Sequence, residues 1–196
     1  MVAALAVARE TGNRRLEGNT LCNLGLFNQL AGNVDEALVQ LGASLAVARD
    51  LGSRLLECIV LCNLGMACAS LARADDAQDH FEAALVIARE LGDQRNEGQF
   101  LGYLGLLHAR QSRFDEARRC LKAGEAMLRA ISDRLSLGIL LCGSAETEHL
   151  AGDSDAARAA FAQAAAIAGT TGAGPESELG MAVARVRAVL DQDRNR

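Results

Sequence analysis

Apolar and polar positions along this chain of 196 residues follow a helical spacing and, above it, a second period of 40 residues. Leu21, Leu61, Leu101 and Leu141 share one column, and Leu24, Leu64 and Leu104, each followed by a glycine at 25, 65 or 105, share another. Ala37, Ala77, Ala117 and Ala157 recur downstream, then Leu41, Phe81, Leu121 and Phe161. A period in this range marks an array of supersecondary units, each too small to bury its own apolar face. Within a unit the spacing predicts two helices, over roughly 14–31 and 34–51 in the first, parted by the turn Gly32-Asn33, with the later units 40 residues on.

Local chemistry agrees with that division. Gly12, Gly52, Gly92 and Gly172, with Ser132 in the same column, punctuate the unit ends. Asp35, Asp75, Asp115 and Asp155 stand at the start of each second helix, where unpaired backbone N–H groups and the positive dipole end favour a carboxylate; Arg9, Arg49, Arg89 and Arg129 stand near the opposite end. Small residues at Gly25 and Ala37 let paired helices approach while the Leu and Phe columns interlock, so a bulky residue in the Gly25 column is expected to wedge the pair apart.

The register places full units at about 13–52, 53–92, 93–132 and 133–172 in a single domain spanning 1–196. Residues 4–12 align with 44–52, so residues 1–12 read as the second helix of a truncated unit, which points to a fragment of something longer. Gly169 to Pro175 reads as a loop, and a last helix over about 175–192, with its core at 176–190, reads as a solvent-facing cap.

Composition narrows the function classes. Half the residues are apolar, aromatics make up 3%, Trp is absent and Pro occurs once, a vocabulary of closely packed helices. A net charge of −5 leaves no basic stripe for a phosphate backbone, so no nucleic-acid partner is expected. No apolar run approaches the ~20 residues that cross a bilayer and no leader pattern opens the chain, so the reading is a cytoplasmic protein without a membrane partner. The six cysteines, Cys22, Cys58, Cys62, Cys68, Cys120 and Cys142, fit a reduced protein with ample core better than a disulfide framework.

Leu21, Leu24, Gly25, Ala37, Leu41 and Ser44 occupy successive signature spacings of the tetratricopeptide repeat (TPR), and the chain resembles that family over nearly its whole length. The 40-residue unit, with segments such as Ala48-Arg49-Asp50-Leu51-Gly52 replacing the usual terminal Pro, is most similar to the LGN/Pins-like subclass and to arrays in bacterial signalling and regulatory proteins. The resemblance implies an all-α, right-handed α-solenoid of helix-turn-helix units whose first helices line a concave groove that holds a peptide or partner domain.

By the same resemblance, the groove columns are Asn19, Ile59, Gln99 and Ile139; Asn23, Asn63, Tyr103 and Gly143; and Leu26, Met66, Leu106 and Glu146. An Asn in the second column reaches the backbone of a bound peptide in relatives; here it can equally cap a helix end or face water. Cys22, Cys62, Gly102 and Cys142, beside these, line a greasy groove or belong to the core. LGN-like relatives carry arginines where this chain has Asn19, Ile59, Gln99 and Ile139, so their acidic-peptide preference is not carried over. Arg14, Arg54, Arg95 and Arg134 near the turns read as solvated charges.

No catalytic or cofactor constellation assembles. Cys58 and Cys62 share a helix face without a second ligand pair. His80, His108 and His149 fall in different columns with no nucleophile beside them, and Glu146 and Glu148, two apart, point to different faces of a helix. Gly169 to Gly174 lacks the Lys of a phosphate-binding loop. The sequence therefore reads as a non-catalytic interaction scaffold with no metal or cofactor, with homo-oligomerisation through unpaired terminal helices as the alternative.

Overall fold

The computed structural model describes residues 2–193, without the side chain of Asp193; Met1, counted in the expected leading helix, and residues 194–196 lie outside it. The described residues form ten helices and no strands: α1 (Val2–Glu10), α2 (Arg14–Leu30), α3 (Val34–Asp50), α4 (Arg54–Ser70), α5 (Ala74–Leu91), α6 (Gln94–Arg110), α7 (Phe114–Ala130), α8 (Arg134–Leu150), α9 (Ser154–Thr171) and α10 (Glu178–Asp193). The chain divides into two compact units, one ending at Asp93 and the other beginning at Gln94.

In the first unit α2 pairs with α3 and α4 with α5, α1 lies on α2, and α4 packs against both α2 and α3. Cys22, Leu41, Ala48, Leu56, Val60, Leu64 and Ala67 form its shared core. In the second unit α6 pairs with α7 and α8 with α9, while α10 lies on α8 and α9. Leu121, Leu128, Leu141, Leu179, Val183 and Val186 are buried together there.

Close helix approach depends on the Gly25 column. A Cβ built on Gly25 would stand 2.6 Å from Leu41 Cγ, one on Gly65 2.7 Å from the Phe81 ring, and one on Gly105 2.8 Å from Leu121 Cγ and 3.1 Å from the Ala117 carbonyl oxygen. Atoms of carbon do not pack at such distances, so the large column of each second helix sits where a side chain of the first would be. Ser44 adds a specific bond across one pair, its hydroxyl donating to the Gly18 carbonyl at 2.8 Å while fully buried.

The turns use left-handed backbone at both punctuation points of the period. Gly12, Gly32, Gly52, Gly92, Gly152 and Gly172 have φ between 60° and 83°, and Ser132 holds the same region at 58°, as its column requires. Ala72 and Ser112 also adopt φ of 57° and 60°, standing in the column of Gly32 and Gly152. An L side chain there costs roughly 1–2 kcal/mol.

Two expectations are corrected. Gly169 does not open a loop: α9 continues to Thr171 and stops at Gly172, with the Thr170 and Thr171 hydroxyls donating back to the Ala166 and Ile167 carbonyls. The last helix accordingly begins at Glu178, where Ser177 Oγ accepts from the Gly180 N–H at 3.1 Å. The repeating aspartates also do not act as side-chain caps. Asp35, Asp75, Asp115 and Asp155 sit two positions past the N-cap, inside the first turn, where they meet the dipole; capping bonds come instead from Asn13, Asp133 and Asp153, which accept from Leu16, Ser136 and Ala156.

Candidate functional site

The columns expected to face a ligand lie on α2 and α4 in the first unit and on α6 and α8 in the second. On α2, Asn19 and Asn23 are exposed and Leu26 is half-buried; on α4, Ile59 and Met66 are half-buried. Asn63 differs from Asn23. It is only 6% exposed and its amide donates to Cys22 Sγ at 3.3 Å, tying α4 to α2. The two asparagines share a column and not an environment, because Asn63 has a preceding first helix against it.

In the second unit Gln99, Tyr103, Leu106 and Glu146 are all half-buried. Gln99 Nε2 donates to Ser136 Oγ at 2.7 Å, and the Ser136 hydroxyl donates to Asp133 Oδ2 at 2.8 Å, so both polar groups are oriented. Tyr103 donates its hydroxyl to Glu178 Oε1 at 3.0 Å, and Glu146 receives Arg110 at 2.8 Å and, more loosely, Arg185 at 3.7 Å. Beside these groups lies a partly open recess with a cavity volume of about 40 Å³. Its walls are Leu106, Ile139 and Leu140, its polar edge is Gln99, Ser136, Tyr103 and Arg185, and the remaining lining is Gly102 and Gly143.

Those two glycines are not required by packing. A Cβ on Gly102 would lie 3.4 Å from Leu140, and one on Gly143 would find only Leu121 Cδ2 at 3.8 Å, against the 2.6–2.8 Å closest approaches in the Gly25 column. Cys22, Cys62 and Cys142 fill the first of these columns, Asn23, Asn63 and Tyr103 the second. Space is therefore left at positions where the array elsewhere carries side chains.

The cysteine column belongs to the core. Cys22, Cys62 and Cys142 are at most 5% exposed, and burial pushes the Cys58 and Cys142 thiols up to about 11. Burial also raises Cys22 and Cys68 and lowers His80. Among the described residues no group of three His, Cys, Asp or Glu side chains is placed to hold a metal ion. Glu146 and Glu148 do point apart, Glu148 pairing with Arg118 on α7 at 2.6 Å.

The turn arginines are exposed, and each also reaches a charged or polar group of a neighbouring element. Arg14 bridges Glu17 at 2.6 Å and Asp50 at 3.0 Å, and Arg54 bridges Glu57 at 2.7 Å and Glu90. Arg95 reaches Asp133 at 2.7 Å and Arg134 donates to Thr170 Oγ1 at 2.7 Å. Glu17 and Glu57 also accept from Arg9 and Arg49 of the preceding second helix at 3.1 and 3.0 Å. Arg9, helped by Arg14, holds the Glu17 carboxyl below its ordinary range; at Glu57 burial acts upward, and Arg49 with Arg54 outweighs it. This repeating clasp, missed in the sequence, was signalled by Glu17 and Glu57 standing 40 residues apart beside the Arg columns.

Comparison with known proteins agrees with this geometry. None of the curated proteins matches the chain. Solved structures do: BtubC (BKLC) from P. vanneervenii at 14% identity, covering 97% of this chain and 89% of that one with a TM-score of 0.70. Two structures of a putative kinesin light chain from Podosopora anserina with nearly identical TPR-like repeats are 19% identical, cover 93% of this chain and 87% and 88% of theirs, and give TM-scores of 0.64 and 0.63. At these identities the likeness concerns the fold, an α-solenoid of helix-turn-helix repeats. The tetratricopeptide repeat model itself matches residues 16–90 and again 56–130, more than half of the sequence, and the chain belongs to the tetratricopeptide repeat family.

Proposed function

We propose that this chain is a non-catalytic docking module that holds a peptide or partner domain along its first helices, with an apolar side chain of the ligand seated in the pocket of the second unit. The observation that carries the reading is the pair Gly102 and Gly143, which leave an apolar recess where packing would accept a side chain. A recess with apolar walls and a few oriented polar groups suits one anchor side chain, with Gln99, Tyr103 and Arg185 placed for the adjoining backbone or polar groups. Within the first unit, Asn19, Asn23, Leu26, Ile59 and Met66 are the exposed or half-buried positions of the same columns, while Asn63 is buried against Cys22. Repeats of this family generally serve protein–protein interaction, which supports the same reading. The 40-residue unit favours the LGN/Pins-like subclass, and a signalling or regulatory protein of the cytoplasm is the setting we propose. No helix among the described residues is long and apolar enough to cross a membrane.

The test is peptide display against the full chain followed by titration. Ligands selected by the wild type should lose at least about tenfold in affinity, about 1.4 kcal/mol, on Gly143→Leu, with helicity unchanged. Selected ligands that bind Gly143→Leu and Asn23→Ala as well as they bind the wild type refute the assignment.

A further inference from the structure

The hydrogen bonds at the polar rim of the recess run in one direction. The Asp133 side chain is 8% exposed, and its carboxylate receives Arg95 at 2.7 Å, the Ser136 N–H at 3.2 Å and the Ser136 hydroxyl at 2.8 Å. A carboxylate only accepts, so the one Ser136 hydroxyl proton is committed to it, and the serine oxygen in turn accepts from Gln99 Nε2 at 2.7 Å. This orients the Gln99 amide: Nε2 faces Ser136, while the carbonyl oxygen Oε1 and the second N–H are not spent on it. One acceptor beside one donor matches the N–H and C=O of a peptide residue. An extended segment offers both groups on one edge, whereas a helix bonds them internally.

The apolar part of the recess sets a size. Leu106, Ile139 and Leu140 wall the volume of about 40 Å³ that Gly102 and Gly143 leave open. One water-sized group needs roughly 10–15 Å³, so about three heavy atoms fit, the branched end of a valine; a ring does not, since a cavity that takes benzene measures about 150 Å³. Charge adds little to this selection. Arg110 and Arg185 share Glu146 at 2.8 and 3.7 Å, Arg95 is held by Asp133, and Glu178 accepts from Tyr103, so these three guanidinium groups and three carboxylates balance.

We infer that the ligand is an extended peptide segment anchored by a valine-sized aliphatic side chain, selected by size and by the Gln99 amide rather than by charge. The inference rests on the docking role proposed above and narrows it to one class of partner. Ser136 and Asp133 are positioning residues in this arrangement, because they act on the ligand only through the orientation they impose on Gln99.

Dodecapeptides selected on the full chain from a random displayed library, then titrated by calorimetry, test it. The selected sequences should share a valine, and replacing it with alanine or with phenylalanine should each weaken binding at least about tenfold, the scale of a misfit methylene in an apolar pocket. Gly143→Ala should exchange the preference: its methyl meets only Leu121 Cδ2 at 3.8 Å, so the fold accepts it while the recess shrinks. On that variant the valine peptide should lose about tenfold and the alanine peptide should bind as it does to the wild type. N-methylation of the valine amide should weaken binding to the wild type and have no effect on Gln99→Leu. Affinity should change less than about threefold between about 50 and 500 mM salt. Peptides that lose affinity on Gly143→Leu but carry an aromatic anchor, tolerate alanine at the valine, tolerate its N-methylation or weaken steeply with salt overturn the inference and leave the docking role standing. Peptides indifferent to Gly143→Leu, or a library that yields no ligand, overturn both.

Discussion

Two glycines in one helix separate packing from function. Gly102 and Gly105 both lie inside α6, so replacing either with Ala gains the same intrinsic helix propensity, about 1 kcal/mol. Their surroundings differ. The new methyl at 102 would touch Leu140 at 3.4 Å, close to ordinary contact, whereas the methyl at 105 would stand 2.8 Å from Leu121 Cγ and 3.1 Å from the Ala117 carbonyl oxygen. Backbone cannot yield cheaply, and Leu121 is 5% exposed with no room to rotate away. Overpacking of this kind costs about 1–3 kcal/mol, which cancels or exceeds the propensity gain. Gly102→Ala should therefore stabilise by up to about 1 kcal/mol, Gly105→Ala should be neutral or destabilise by up to about 2 kcal/mol, and the two should differ by about 2 kcal/mol. For a chain of this length that is about 4–8 °C in Tm by far-ultraviolet circular dichroism. Ligand affinity should fall for Gly102→Ala, which narrows the pocket, despite its higher stability. Equal Tm shifts for the two variants would refute the distinction between packing glycines and pocket glycines on which the site rests.

Three further outcomes can be checked by simple measurements. Ala72→Gly relieves a left-handed backbone at φ 57° on an exposed turn and should gain about 1 kcal/mol, while Gly32→Ala in the same column should lose a similar amount, both read from urea midpoints. Glu17 and Glu57 have folded pKa values below the unfolded one, so their stabilisation is complete above about pH 4.3 and is lost as pH falls through the folded values; urea midpoints should drop on acidification, and Glu57→Gln should reduce that drop. The thiols of Cys58 and Cys142, held near 11 by burial, should resist alkylation at neutral pH in the native chain and react only on unfolding, as mass spectrometry of modified peptides would show.

What could be read from the sequence was whatever repeats. The Leu21, Gly25, Ala37 and Leu41 columns are spaced by the helical period and by the unit, so they announce both the helices and their pairing before any coordinate is known. Ser132 is the clearest case: only its column shows that a serine takes left-handed backbone. The same logic fails where neighbours differ from unit to unit. Asn23 and Asn63 look equivalent in register, yet one faces solvent and the other donates to Cys22. Arg14 and Arg54 look like surface charges because their partners Asp50 and Glu90 lie 36 residues away, a separation that means proximity only once the pair of helices is closed.

The departures from the repeat are where function is to be sought. An array of stacked helix pairs owes its stability to like columns packing on like columns, so a substitution that packing does not demand has no structural reason to persist there. Gly25, Gly65 and Gly105 are demanded; Gly102 and Gly143 are not, and it is the latter that open the recess between α6 and α8. Tyr103 closes the edge of that recess by donating to Glu178 instead of filling it. Under the proposed function, selectivity for a ligand side chain comes from the size of the recess left by two missing side chains and from the Arg185 guanidinium beside it. The regular columns serve to hold α6, α8 and α10 at the spacing that keeps it open.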